Sequence, residues 1–135
     1  MPTRTNQPMM NAIHAAVLLA HQQLMTSFAL GDAMGIAAIY TEDGQVLPAY
    51  SAAIRGRAAI QAFWQGCMDI GICAMQRTAL EMDCLAATIN EVGEYRFLDR
   101  HGRVLDVGKY VIIWKHHQGQ WQIQCDIWTS SLPAC

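Results

Sequence analysis

The sequence predicts an α+β fold, with helices packed against one sheet, and three observations predict it. Up to Gly71, apolar residues recur at steps of three and four. After Gly71 the period shortens toward two. The last third, Gly108 to Trp128, reads GKYVIIWKHHQGQWQIQCDIW, two apolar strands joined at Gln118-Gly119. Helices first and antiparallel strands afterwards place the helices on one face of a single sheet.

Each element follows from its own residues. Residues 1–11 read as a flexible tail, with Pro2, Pro8 and no periodicity. From Asn11, a plausible N-cap, Ile13, Val17, Ala20, Leu24 and Phe28 share one helix face, and Gly31 stops the helix. Asp32 caps a shorter helix to about Tyr40, burying Ile36 and Ile39. Thr41-Glu42-Asp43-Gly44 is a turn by composition, and Gln45 to Tyr50 a short strand whose Pro48 marks an edge or a pocket rim. Ile54 to Arg57 leads into a third helix with Ile60, Phe63, Trp64, Cys67 and Met68 on its apolar face. Four strands follow: Cys73–Leu85, Thr88–Leu98, Val104–Lys115 and Trp121–Thr129, with turns at Asp99–Gly102 and His116–Gln120. No repeat or linker interrupts 12–133, which reads as a single domain.

Composition bounds the function. A chain of 135 residues is long enough for a sizeable core, and 53% hydrophobic content requires extensive burial. The net charge of −2 and the lack of a basic stripe argue against nucleic acid as a partner. No apolar run is long enough to span a bilayer, so no membrane partner is expected, and the polar N-terminus lacks the form of a secretory signal. The five cysteines are odd in number and contain no CxxC pair, which disfavours a disulfide framework and a zinc site and favours a reducing cytoplasm. His14 and His21 are two helical turns apart, and the adjacent His116 and His117 point to opposite faces, so no metal site is expected. Nucleophile elbow, P-loop and dinucleotide fingerprint are all missing, and no cofactor is expected.

Several segments resemble one family in order and spacing. Phe28-Ala29-Leu30-Gly31-Asp32 looks like the end of helix one in SnoaL-like, or NTF2-like, domains. Ile39 to Gly44 is similar to the signal that follows it, and Ile54-Arg55-Gly56-Arg57-Ala58-Ala59-Ile60 to the start of the third helix. Glu91-Val92-Gly93, Gly108-Lys109-Tyr110, Trp114, Gly119-Gln120-Trp121 and Asp126-Ile127-Trp128 resemble the strand signals of the DUF4440 branch. The resemblance covers Ala12 to about Pro133. It implies a cone: a curved antiparallel sheet wrapped round helices, with a pocket inside, and in many relatives a homodimer through the sheet's outer face. Such domains include steroid isomerases, polyketide cyclases, dehydratases, hydrolases and non-catalytic association domains, so the fold does not decide the function. Leu24 and Leu47 stand where steroid isomerases carry a tyrosine and a base, which makes that mechanism unlike this chain's.

The candidate site centres on Asp126. A carboxylate in an apolar cavity is pushed toward its neutral form and can exchange a proton near neutral pH. Strand alternation groups Asp126 with Gln124 and Trp128, and the resemblance favours that face for the cavity over Ile123, Cys125 and Ile127. Glu91 is the second carboxylate, sharing a face with Gly93 and Tyr95. The two acids either hold one proton between them or bracket Lys109 or an arginine in an ion pair. Tyr40, Tyr50 and Tyr110 offer hydroxyls for an enolate or carbonyl oxygen. Phe63, Trp64 and Trp128 offer apolar walls, whereas Trp121 reads as ordinary core.

Two readings follow. In the first, an apolar or cyclic carbonyl compound sits between Trp64, Tyr110 and Trp128, and Asp126 accepts its proton in cofactor-free isomerisation, dehydration or cyclisation. In the second, the chain is a non-catalytic association module, its 15% charged residues fitting a surface hidden in a homodimer.

Overall fold

The computed structural model describes residues 7–133. Its elements are α1 (Gln7–Ala29), α2 (Ala33–Ala37), β1 (Tyr40–Leu47), β2 (Ile54–Arg55), α3 (Arg57–Asp69), β3 (Ala74–Leu85), β4 (Thr88–Leu98), β5 (Val104–His117) and β6 (Gln120–Ser130). They form the expected α+β cone, a curved six-stranded sheet in the order β2-β1-β6-β5-β4-β3 with the helices on its inner face.

The apolar stripe of α1 is realised: Val17, Ala20, Leu24 and Phe28 are buried, and His21 is buried among them. The helix starts earlier than its capping signal suggests. Asn11 lies inside α1 rather than capping it, and 7–11 of the expected tail are helical, while residues 1–6 lie outside the described residues. Gly31, at φ +71°, adopts the left-handed conformation that closes the helix. Asp32 then caps α2, its Oδ1 accepting from the Gly35 amide at 2.9 Å.

Three other local expectations are corrected. Helix α2 ends at Ala37, and Tyr40 opens a strand instead of closing a helix. Thr41–Gly44 is not a free turn but an irregular stretch within β1, where the register against β6 shifts between Tyr40 and Gln45. At the other end of the sheet, β5 continues through His116 and His117, so the turn narrows to Gln118-Gly119. The C-terminal pairings β3–β4, β4–β5 and β5–β6 are antiparallel as expected, but β1 lies parallel to β6. That geometry is open to β1 because a helix and four intervening strands separate it from β6 in the chain.

One bulge decides which way the candidate acid points. Trp114 pairs with Ile123 and Ile113 with Cys125, so Gln124 is the extra residue of β6. Strict alternation, which groups Gln124 with Asp126, therefore fails there. Ile123, Asp126 and Trp128 all face the interior. Across the sheet, Val46, Asp126, Ile112 and Glu91 form one inward row through their register pairs.

Candidate functional site

Both candidate carboxylates are fully buried, and each has its own basic partner. Asp126 sits at 2.9 Å from Nη2 of Arg77, whose side chain comes inward from β3 beside Met75. The Tyr40 hydroxyl donates to the same Oδ2 at 2.7 Å. Arg57 fixes Tyr40 from outside, its Nε and Nη2 donating to the Tyr40 carbonyl at 2.9 and 2.8 Å. The arginine of the Gly56-Arg57 motif thus anchors the strand that carries Tyr40.

Glu91 is held more completely. His21 Nε2 lies 2.9 and 2.8 Å from its two oxygens, and Trp114 Nε1 donates to Oε1 at 2.8 Å. The Tyr110 hydroxyl donates to Oε2. The Arg77 guanidinium lies over the Tyr110 ring, 5.3 Å from its centre, and so links the two clusters. Two glycines make room for this arrangement. A Cβ on Gly93 would overlap the Tyr110 ring and hydroxyl, and one on Gly108 would overlap the Tyr95 ring. The space left by Gly93 is therefore taken by Tyr110.

Electrostatics follow from these contacts. Burial pushes the Tyr40 hydroxyl well above its ordinary value, and the Asp126 charge adds to this, so Tyr40 remains a donor. Burial and then the Glu91 charge raise the Tyr110 hydroxyl in the same way. For Glu91, burial favours the neutral acid, but the His21 contact, with Tyr110 and Trp114, outweighs it and holds the carboxyl below the usual range. For Arg77, burial disfavours the charge, but Asp126 outweighs it and raises the guanidinium further.

The Asp126 cluster is incompletely satisfied. Asp126 Oδ1, Arg77 Nε and Nη1, and Trp64 Nε1 are buried without a hydrogen-bond partner. The Trp64 N–H is near enough to act on the Tyr40 hydroxyl, though outside bonding geometry. The charge-balanced pair and the neighbouring Trp64 thus leave one acceptor and three donors without a hydrogen-bond partner.

An aromatic cluster covers this centre. Trp64 and Trp128 stack with ring centres 5.4 Å apart and planes 26° apart, so no ligand fits between them as they stand. Phe63 packs on both rings, and Phe97 packs on both as well. On the far side of Phe63, Phe97 and Trp128 opens an apolar depression of about 670 Å³, also lined by Pro48, Cys67 and Leu105. Tyr50 stands exposed at its rim, its hydroxyl donating to the Leu132 carbonyl at 3.2 Å. Burial lifts the Cys67 thiol to about 11.

The structure thus brings Asp126, Tyr40 and Trp64 together, and Glu91 and Tyr110 together. It keeps Tyr50 and Phe63 at the mouth. Lys109 points to the outer face, so the cation that brackets an acid is Arg77. Trp121 is half-buried and packs on His116 at 4.9 Å. Arg77 and His21 are the residues that the sequence reading leaves out. His21 had a visible signal, since it falls four residues after Val17 in the apolar stripe. Arg77 shares the parity of Met75, which weak alternation in β3 obscures.

Among the described residues no helix is long and apolar enough to cross a membrane. No family model matches the chain, and no curated protein matches it. Solved structures do. An NTF2-like protein of unknown function from Pseudomonas putida is 20% identical, with a TM-score of 0.73 over 91% of this chain and 89% of that one. A ketosteroid isomerase-like protein from Erwinia carotovora atroseptica is 17% identical, with a TM-score of 0.73 over 88% of this chain and 96% of that one. A putative calcium/calmodulin dependent protein kinase II association domain from Xanthomonas campestris is 18% identical, with a TM-score of 0.67 over 88% of this chain and 87% of that one. With its helices inside a curved mixed sheet, this chain has the NTF2-like, ketosteroid isomerase-like fold.

Proposed function

We propose that this chain is a cytoplasmic, SnoaL-like (DUF4440-type) small-molecule-binding protein whose ligand is an apolar or cyclic carbonyl compound. The observation that carries this reading is the set of unpartnered buried groups around Asp126. A carbonyl oxygen can accept from Arg77 or from the Trp64 N–H, while the free Oδ1 of Asp126 faces an acidic C–H or hydroxyl of the same molecule. Because Arg77 already balances Asp126, a neutral ligand adds no net charge to the interior. The chemistry that fits is cofactor-free proton transfer, of isomerase, dehydratase or cyclase type. Trp128 must swing off Trp64 to admit the ligand, and the depression outside is its approach.

The test is a thermal-shift screen of wild type and Asp126→Asn against cyclic ketones, aromatic acids and steroid-like compounds. A ligand should raise the melting temperature of wild type more than that of the variant. It should also exchange its α-hydrogens for deuterium faster with wild type, as read by NMR. Equal shifts and equal exchange in the two proteins would remove Asp126 from the site.

A second reading has its own observation. Val92, Val111 and Ile127 are register partners, and all three are exposed on the sheet's outer face. Such an apolar row fits a homodimer through that face, and the Xanthomonas structure noted above carries the description of an association domain. Sedimentation at micromolar concentration tests it, and a monomer there counts against the dimer. Dimerisation and ligand binding are compatible.

A further inference from the structure

The depression at the mouth holds one charged side chain, a carboxylate separate from both Asp126 and Glu91. Asp106 lines that space beside Ser130. It is half-buried, next to Leu105 on β5 and opposite Phe97 on β4. The Tyr95 hydroxyl donates to its Oδ2 at 2.8 Å, and the Ser130 hydroxyl to its Oδ1 at 2.5 Å. Burial, and then Asp106 itself, raises the Tyr95 hydroxyl, so it serves only as donor. Both partners are neutral. Among the described residues no Lys, Arg or His lies within ion-pair distance of Asp106, whereas Asp126 and Glu91 each have a basic partner.

We propose that the mouth depression binds an organic ammonium ion with an apolar body, its charge on Asp106 and its body against Phe63, Phe97 and Trp128. Charge complementarity selects this occupant. A carboxylate has roughly four acceptor positions, of which Tyr95 and Ser130 use two. Neither neutralises its charge. The surrounding walls are largely apolar, and aromatic faces attract a cation further. An anionic ligand of the same shape would meet Asp106 without a counter-charge. The volume of about 670 Å³ suits a bicyclic amine. This site lies on the approach to Asp126 but does not need that centre to be open, since the depression is accessible while the Trp64–Trp128 stack is closed.

Isothermal titration with tryptamine, tryptophol and indole-3-acetate tests it, because the three share one ring system and differ in charge. Tryptamine should bind wild type at least tenfold more tightly than tryptophol, with indole-3-acetate weakest. Asp106→Asn should bring tryptamine and tryptophol within about twofold of each other. At the exposed neighbour, Leu105→Lys should reverse the order in favour of indole-3-acetate, which keeps the test open if the asparagine variant folds poorly. Tryptamine binding no tighter than tryptophol, no binding of any of the three, or an order insensitive to both variants would overturn the proposal. Failure here leaves the Asp126→Asn comparison untouched, because that comparison reads a different carboxylate with ligands that carry no ammonium group.

Discussion

Glu91→Gln separates a working buried ion cluster from an incidental one. The wild-type carboxylate takes His21 on both oxygens, Tyr110 on one and Trp114 on the other. Glutamine keeps the length and one carbonyl acceptor. It replaces the other oxygen with an NH₂ that meets donors, so at least one of the three partners is orphaned. A buried hydrogen bond to a charged group contributes about 1.5–3 kcal/mol, and an orphaned buried donor costs about 1–3 kcal/mol. These overlap, and a loss of about 3–5 kcal/mol is expected. For a domain of this size that is a drop of roughly 10–20 °C in melting temperature. The sign with pH is set by the direction of the shift. The folded-state value of Glu91 is depressed, so its stabilisation is complete above the ordinary glutamate value and fades as pH falls through the lowered one. Urea unfolding of both proteins between pH 7 and pH 3 should therefore show a gap that is widest at neutral pH and narrows below about pH 4.5. A gap under ~0.5 kcal/mol at pH 7, at the level of a neutral surface change, or one that widens in acid, refutes the reasoning.

Other perturbations address single features. Arg77→Met leaves Asp126 buried without its cation and should cost about 3–5 kcal/mol, whereas Arg77→Met with Asp126→Leu should recover part of that loss in urea unfolding. Strictly additive losses would mean the two side chains do not interact. Gly93→Ala puts a Cβ into the Tyr110 ring and the Thr78 carbonyl, with an expected cost of about 1–3 kcal/mol and no gain at any pH. Iodoacetamide at pH 8, followed by peptide mapping, should label exposed Cys73 well before Cys67, and the Cys67 rate should climb as pH approaches 11. Equal rates at pH 8 would mean that Cys67 is not held in its thiol form.

The elements most legible in the sequence are those with strong local periodicity. Strand β4 runs from Thr88 to Leu98 as expected, because Ile89, Glu91, Gly93, Tyr95 and Phe97 alternate inward and turn residues flank it. The stripe of α1 is equally plain. What the sequence hides is non-local. Nothing local says that β1 lies parallel to β6, since that pairing closes through residues eighty or more positions apart. The bulge at Gln124 is also silent, because Gln124 has no feature that marks it as the unpaired residue. Asp126 faces inward all the same, since its alternation with Trp128 lies on the regular side of the bulge.

The same physics makes the acids more legible in the sequence than their partners. An isolated carboxylate among apolar residues stands out along the chain, whereas its counter-ion is chosen by the fold. His21 reaches Glu91 across 70 positions and Arg77 reaches Asp126 across 49. Once those cations are placed, the two acids cease to be equivalent. Both oxygens of Glu91 are taken, which suits a clamp between α1 and the sheet. Asp126 keeps Oδ1 free beside unpartnered donors. A proton acceptor needs a free lone pair within reach of the reacting atom, so of the two acids Asp126 is the one that suits the proton transfer proposed above, whereas Glu91 holds the Tyr110 hydroxyl beneath the Arg77 guanidinium.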